Sequence, residues 1–508
     1  MHSLCPVALA STHDLPQADL PTWAAQVAQS LDGGARLLGL FGRVEGPVDG
    51  TDTHTGSAVV TTAVLQPVAG PLALLRGRGP RHGAYPSLTP RHPAAQMFER
   101  ELWEQTGLSP DGHPWLKPVR YEGPRQQHMH EHPFFSVRGQ EVHEVGVGPI
   151  HASVIEPGHF RFMCHGEQVH HLELQLGYQH RGVEAMLLQR PPLALTPLIE
   201  SIAGDSSIAY AWAHCAALEA LSGTAPTESA KRVRGIALEM ERVGMHLVAL
   251  AGLATDIAFL QGGATYGRLR TAIINATMRV CGSRFGRGWL RPGGVRHAIT
   301  GALRSDLLAT LAAFAKDLAE VNDLMLSARS VRSRFQGVGR VSRQAATDIG
   351  LVGLAARASG VPLDLRSSLP GRLYAAHPVA LLTEDGGDCW ARMKLRMREI
   401  DESVRWIGQV LNTPELVPDA TAGDAPARPA AIGPLQSDAL CVSLCEGFRG
   451  PVLQALETGP DGRLLHYKVQ DPSMLNWFGL ALAVRDNEIS DFPICNKSFD
   501  LSYCGNDL

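Results

Sequence analysis

The strongest hydrophobic periodicity lies in the middle of the chain. Between Lys231 and Phe259, the residues Val233, Ile236, Met240, Val243, Leu247 and Leu250 recur at steps of three and four, which places them on one helical stripe. Glu239, Arg242 and His246 share the opposite face. A second helix is predicted from about Ser305 to Arg334, with Leu307, Leu311, Phe314, Leu318, Val321 and Met325 in register. Two such stripes need other helices to cover them, so a bundle core is implied. The N-terminal part has a different rhythm. A helix around Leu20 to Leu31 precedes strand candidates at Leu37–Val44 and Ser57–Gln66, the latter apolar and β-branched. AAQMFERELWEQTG then sets Met97, Leu102 and Trp103 on one side of a short helix and Glu99, Arg100 and Glu104 on the other, ending at Gly107.

These patterns predict an α+β chain. A small N-terminal α/β domain occupies residues 1–125, a linker with the aperiodic stretch QQHMHEHP occupies 126–145, and a mainly helical bundle domain runs from 146 to 508. Residues 415–434 are rich in Pro, Ala and Gly and predict a flexible loop. After them, SLCEGFRGPV reads as strand, GPDG as a turn and NWFGLALAVRDN as a helix.

Composition narrows the partners. The 508 residues, 44% hydrophobic and 19% charged, suffice for two to four domains and exclude a disordered chain. Of the 46 basic residues 40 are arginine, scattered among 50 acidic ones, and the net charge is −4, so nucleic acid is not expected as a partner. Nine irregularly spaced cysteines do not make a disulfide scaffold, and the start of the chain carries no signal-peptide pattern, which predicts a reducing cytoplasmic setting. The longest uncharged apolar stretches, such as Val243 to Thr255, fall short of the roughly 20 residues that cross a bilayer.

Candidate chemistry is sparse when read residue by residue. His128, His130 and His132 alternate and would share one side of an extended strand, as ligands or as a hydrated linker. The adjacent His170 and His171 diverge in any regular structure. Cys441 and Cys445 fall in a strand-like run, Cys495 and Cys504 lack a matching ligand pattern, and no C-x-x-C occurs. Glu184, after Tyr178, His180 and Arg181, either relays protons or anchors a turn. Arg449, next to Gly450 in EGFRG, suits a bidentate pair with a carboxylate, with Asp471 and Asp491 as candidates. Neither a G-x-G-x-x-G opening a βαβ unit nor a P-loop is present.

Taken in order, the segments resemble two fused families. Tyr85 to Pro118 (YPSLTPRHPAAQMFERELWEQTGLSPDGHPWLKP) resembles the end of the 30 kDa, C-type subunit of complex I. Gly148 to Glu184, then RVRGIALEMERVGMHL, YGRLR, CEGFRGP and SDFPICNKSFD, resemble the 49 kDa, D-type subunit and the related large subunit of [NiFe] hydrogenases of the formate hydrogenlyase type. In those hydrogenases two cysteine pairs hold the metal. The segment matching the first pair is Ser201–Ser206, with Ala203 and Ser206 at the ligand positions, and the second falls on Ser502 and Gly505 after Ser498-Phe499-Asp500. Cys504 misses that register by one residue. Alanine and glycine offer no ligating atom and serine is a poor substitute for thiolate, so no metal and no cofactor of its own is expected here.

The resemblance implies roles and partners. Glu184 would end a proton or conformational path, oriented by His180 and Arg181. His151 and His159 fall where complex I relatives meet quinone, but no tyrosine stands near Gly204 and Tyr210 comes several residues later, so quinone binding stays open. Arg449 and Asp500 would belong to a structural charge network. The implied setting is a peripheral subunit on the cytoplasmic side of the inner membrane, packed against a small iron–sulfur subunit that carries the cluster and docked on antiporter-like integral membrane subunits.

Overall fold

The computed structural model describes residues 6–46, 57–122, 129, 132–139, 141–152, 155–413 and 429–508. His128, His130 and most of the 415–434 stretch lie outside the described residues, and residues 429–434 have no regular secondary structure.

The N-terminal unit is a four-stranded sheet in the order Gln17–Asp19, Ala73–Pro80, Ala58–Gln66, Arg36–Glu45. Helix Leu20–Asp32 begins where Asp19 accepts a hydrogen bond from the Thr22 amide at 2.8 Å and Pro21 fixes the first turn. Its buried face, Leu20, Trp23, Ala24 and Val27, lies on the sheet. Gly77 permits that approach, because a Cβ there would come within 2.7 Å of the Trp23 ring. Helix Gln96–Thr106 follows a 3-10 turn at Pro93–Ala95 and stops at Gly107, whose φ of 83° suits glycine.

The expected polar face of this second helix is corrected by the structure: Glu99 and Glu104 are buried, not turned to water. Glu99 accepts from the Leu88 and Thr89 amides and the Ser87 and Thr89 hydroxyls, and Glu104 accepts from the amides of Val119, Arg120 and Glu122. The carboxylates satisfy backbone donors of a returning segment that no regular ladder satisfies.

Strand Val7–Ser11 pairs antiparallel with Ala439–Glu446 at the far end of the sequence. It forms the edge of a second sheet in the order Val7–Ser11, Ala439–Glu446, Pro451–Thr458, Leu464–Gln470, so the first described residues join a sheet of the C-terminal part. The end of the expected linker is also ordered, since Val142–Val147 pairs with His159–His165, which pairs with Gln168–Gln175.

The helical part centres on Glu228–Asp256, capped by Thr227 and packed against Leu260–Cys281 and Cys389–Leu411. Its apolar stripe is buried as predicted. The supposedly opposite face is buried too: Glu239, Arg242 and His246 are each no more than 1% exposed, Glu239 held by Arg366, His246 by Glu399 and Arg396, and Arg242 by Glu239 of its own helix and the backbone oxygens of Glu446 and Gly447. The helix expected over 305–334 is two helices, Gly301–Ser327 and Arg329–Phe335, because the backbone of Ala328 is extended between them.

Candidate functional site: a charge cluster at the four ligand positions

Three segments converge on one place. Ser201–Ser206 leads into helix Ser207–Ser222. The turn Gly447–Gly450 joins two strands and closes through the Gly447 amide donating to Gly450 O at 2.9 Å, with Gly450 at φ 138°. Helix Phe492–Phe499 ends at Asp500, which is left-handed at φ 57°, and Ser502 then caps the last helix, Tyr503–Asp507, by accepting from the Gly505 amide at 2.9 Å.

Arg449 holds the segments together. Its guanidinium donates to both carboxylate oxygens of Asp205, at 2.8 and 2.7 Å, and to the backbone oxygen of Asp500, and it stacks 4.3 Å over the Phe448 ring. The expected partners are therefore corrected: Asp491 pairs with Arg334 at 3.4 Å, and Asp471 accepts from the Tyr210 hydroxyl and the Ser473 amide. Burial opposes charge on Asp205, but Arg449 outweighs it and keeps the carboxyl below the usual range. Burial dominates at Asp471 and Asp500 and raises both carboxyls.

Behind the cluster, charges continue inward. Arg396 lies 3.7 Å from the Asp500 carboxylate and donates to His246 Nδ1 at 3.0 Å. That bond makes Nδ1 the acceptor, so Nε2 carries the proton and donates to Glu399 at 2.9 Å. Glu399 binds Arg357 at 2.7 Å, Arg357 reaches Glu446 at 3.1 Å and Asp364 at 3.5 Å, and Asp364 and Glu239 share Arg366 at 2.7 and 3.0 Å. Burial pushes His246 down to about 4, while the Arg357 and His246 partners hold Glu399, against its burial, well below the usual carboxylate range.

The positions where thiolates would be needed do not fit nickel. Ala203 carries no donor, the Ser502 hydroxyl is committed to capping, and the Ser206 hydroxyl lies 3.5 Å from Arg449. A Cβ at Gly505 would come within 2.7 Å of Asp471 Cγ and 2.8 Å of Ser502 Oγ, so a cysteine there collides with the carboxylate. Among the described residues, no group of three or more His, Cys, Asp or Glu side chains is placed to hold a metal ion.

The residues singled out in sequence divide into three places. Arg181 is at the cluster, where its guanidinium donates to the backbone oxygens of Ser201, Ile202 and Cys504 and so joins two of the converging segments. His180 binds Asp507 O through Nδ1 at 2.8 Å, close by. Neither orients Glu184, whose carboxylate accepts from the Val469 amide at 2.9 Å, Gln105 Nε2 at 2.8 Å and Lys468 Nζ at 3.1 Å. Burial works against the Glu184 charge, yet Lys468 and Arg120 overcome it and hold the carboxyl down to about 2. His151 Nε2 engages Gly158 O at 2.8 Å and His159 Nδ1 engages Gly148 O at 3.3 Å. The residues that sequence reasoning missed are Asp205, Arg396 and Glu399, the partner of His246; only Asp205, inside the ligand segment, carried a signal.

Comparison with known proteins defines the class. Residues 70–135 match the model of the 30 kDa subunit of respiratory-chain NADH dehydrogenase, and residues 256–429 match that of its 49 kDa subunit. The chain is thus a fusion of 30 kDa-type and 49 kDa-type domains, its α/β sheet unit followed by the largely helical fold of the 49 kDa and hydrogenase large subunits. It is homologous to formate hydrogenlyase subunit 5 of Escherichia coli, 28% identical over 82% of this chain and 76% of that protein, and to hydrogenase-4 component G of the same organism, 27% identical over 82% and 75%. The membrane-bound hydrogenase subunit alpha of Pyrococcus furiosus is 25% identical over 70% of this chain and 85% of its own length. Among the described residues, no helix is long and apolar enough to cross a membrane.

Proposed function

We propose that this chain is a subunit of a membrane-associated oxidoreductase complex of the complex I and energy-converting hydrogenase kind, acting without a nickel centre of its own. It sits on the cytoplasmic side of the inner membrane, against a small iron–sulfur subunit that carries the electrons and antiporter-like integral subunits that move ions. Its part is to couple the two, with quinone chemistry or ion translocation as the output. The observation that carries this reading is the closed Arg449–Asp205–Asp500 cluster at the positions where ligands would stand. An ion pair whose two partners sit on different segments can hold two arrangements, which a coupling element needs. The fixed, ionised Glu184 favours, for that residue, a scaffold role over a relay.

Purification of the tagged chain from detergent-solubilised membranes tests the reading. A small iron–sulfur protein and antiporter-like membrane proteins should accompany it in fixed ratio. Recovery of the chain alone from the soluble fraction would refute it.

A further inference from the structure

The sheet that strand Val7–Ser11 completes has an open edge. The Leu444 amide donates to Pro6 O at 3.0 Å and the Thr12 amide donates to Asp438 O at 2.7 Å, so the even-numbered residues face the ladder. Val7 and Leu9 turn their N–H and C=O groups the other way, where no strand lies and these four groups have no partner among the described residues. The strand also lacks the devices that blunt an edge: VALAS has no charge, no proline and no register shift, and its five residues are half-buried.

Beside this edge runs a slot of about 650 Å³, and both faces of the sheet are covered beyond its last strand. Ala216 and Ala220 of helix Ser207–Ser222 continue the wall on which Val7 and Leu9 pack. Leu72 and Leu74 of the N-terminal unit continue the opposite wall, on which Ala8 packs. The charged groups at the margin are already matched, Glu219 by Arg234 at 2.6 Å and Lys231 by Glu228 at 2.5 Å. What an occupant meets is two apolar walls and, between them, the free backbone groups of Val7 and Leu9.

We propose that this slot takes a fifth strand supplied by another polypeptide, an extended segment of about five residues that is apolar on both faces. Its backbone continues the ladder through Val7 and Leu9, and its alternate side chains enter the two walls. The chain's own sequence does not supply such a run: none of the segments outside the described residues, among them Met1–Cys5, 47–56 and 414–428, contains four successive apolar residues. An acyl chain would fill the walls but bury the backbone groups unpaired, which disfavours it. This holds whichever complex the chain joins.

Hydrogen exchange and calorimetric titration of the full chain test this, with acetyl-Lys-Val-Val-Ala-Val-Val-Lys-amide as the probe. Its fully N-methylated copy keeps the side chains and lacks the donors. In the free chain the Val7 and Leu9 amides should exchange fast and those of Ala8 and Ala10 slowly. The peptide should saturate one site and slow Val7 and Leu9 at least about tenfold, and the methylated copy should give no saturable heat. Leu9→Pro removes an outward donor where an edge strand tolerates proline, so it should keep native circular dichroism and bind at least about tenfold more weakly. Leu9→Ala, which keeps the donor, should still bind. Equal binding of the methylated copy would assign the slot to an apolar ligand and overturn the proposal. So would Val7 and Leu9 amides already protected in the free chain, which means a segment of the chain itself if it is monomeric and a second copy if it is dimeric. Absence of binding at millimolar peptide, or unchanged affinity in Leu9→Pro, would overturn it as well.

Discussion

Replacing Arg449 with methionine keeps most of the side-chain volume and removes the charge that binds the converging segments. Three charge-assisted hydrogen bonds disappear, two to Asp205 and one to the Asp500 carbonyl. Breaking a fully buried pair by removing one partner costs roughly 3–5 kcal/mol. Arg449 is 6% exposed at its side chain but Asp205 is 38% exposed, so water recovers part of that carboxylate's solvation and about 2 kcal/mol is expected to remain. The loss is local, so native-state hydrogen exchange is the right assay, read in peptides covering 200–209 and 500–508. About 2 kcal/mol corresponds to roughly 30-fold faster exchange in both peptides. In an Asp205→Asn background the same change should add little in the 200–209 peptide, where the pair is already broken, and keep its effect in the 500–508 peptide, which Arg449 holds through the Asp500 carbonyl. Exchange altered less than threefold, or accelerated equally along the whole chain, would refute the view of Arg449 as the local clamp.

Further outcomes follow from the buried charges and the crowded glycine. Glu184 has a folded pKa of about 2 against an ordinary 4.5, so its ionisation contributes stability that is complete above about pH 4.5 and lost as pH falls toward 2; Glu184→Gln should flatten that limb of an acid-denaturation curve by up to roughly 3 kcal/mol. His246 is lowered from 6.5 to about 4, so the stability linked to its neutral form is present above about pH 6.5 and lost on the way down to 4; His246→Gln should remove that slope in melting temperatures measured between those values. Gly505→Ala forces a Cβ against Asp471 and Ser502 and should cost about 1–3 kcal/mol in thermal unfolding.

The elements that sequence made legible are those in which burial follows period. The Val233 to Leu250 stripe and the N-terminal helix at Leu20 came out where the spacing put them. What sequence could not show was the destination of the polar faces. Glu239, Arg242 and His246 look like a solvated stripe because their partners stand far away: Arg366 is 127 residues from Glu239 and Glu399 is 153 from His246. The same holds for Arg449, whose carboxylate lies 244 residues upstream in a segment read only for its missing cysteines. Glu184 was legible as a special carboxylate, but its fixing by Lys468 and the Val469 amide depends on a strand that local pattern does not bring near. Strand Val7–Ser11 pairs across more than 400 residues with Ala439–Glu446, a register that only the assembled sheet defines.

The central claim is that the homologous metal position has become a protein-only charge cluster. Nickel content of the native complex, purified intact and measured by mass spectrometry against protein concentration, tests it directly. The account predicts no stoichiometric nickel, in wild type and in Arg449→Met alike. One nickel per chain, lost when Ser206 or Ser502 is replaced by alanine, would contradict it.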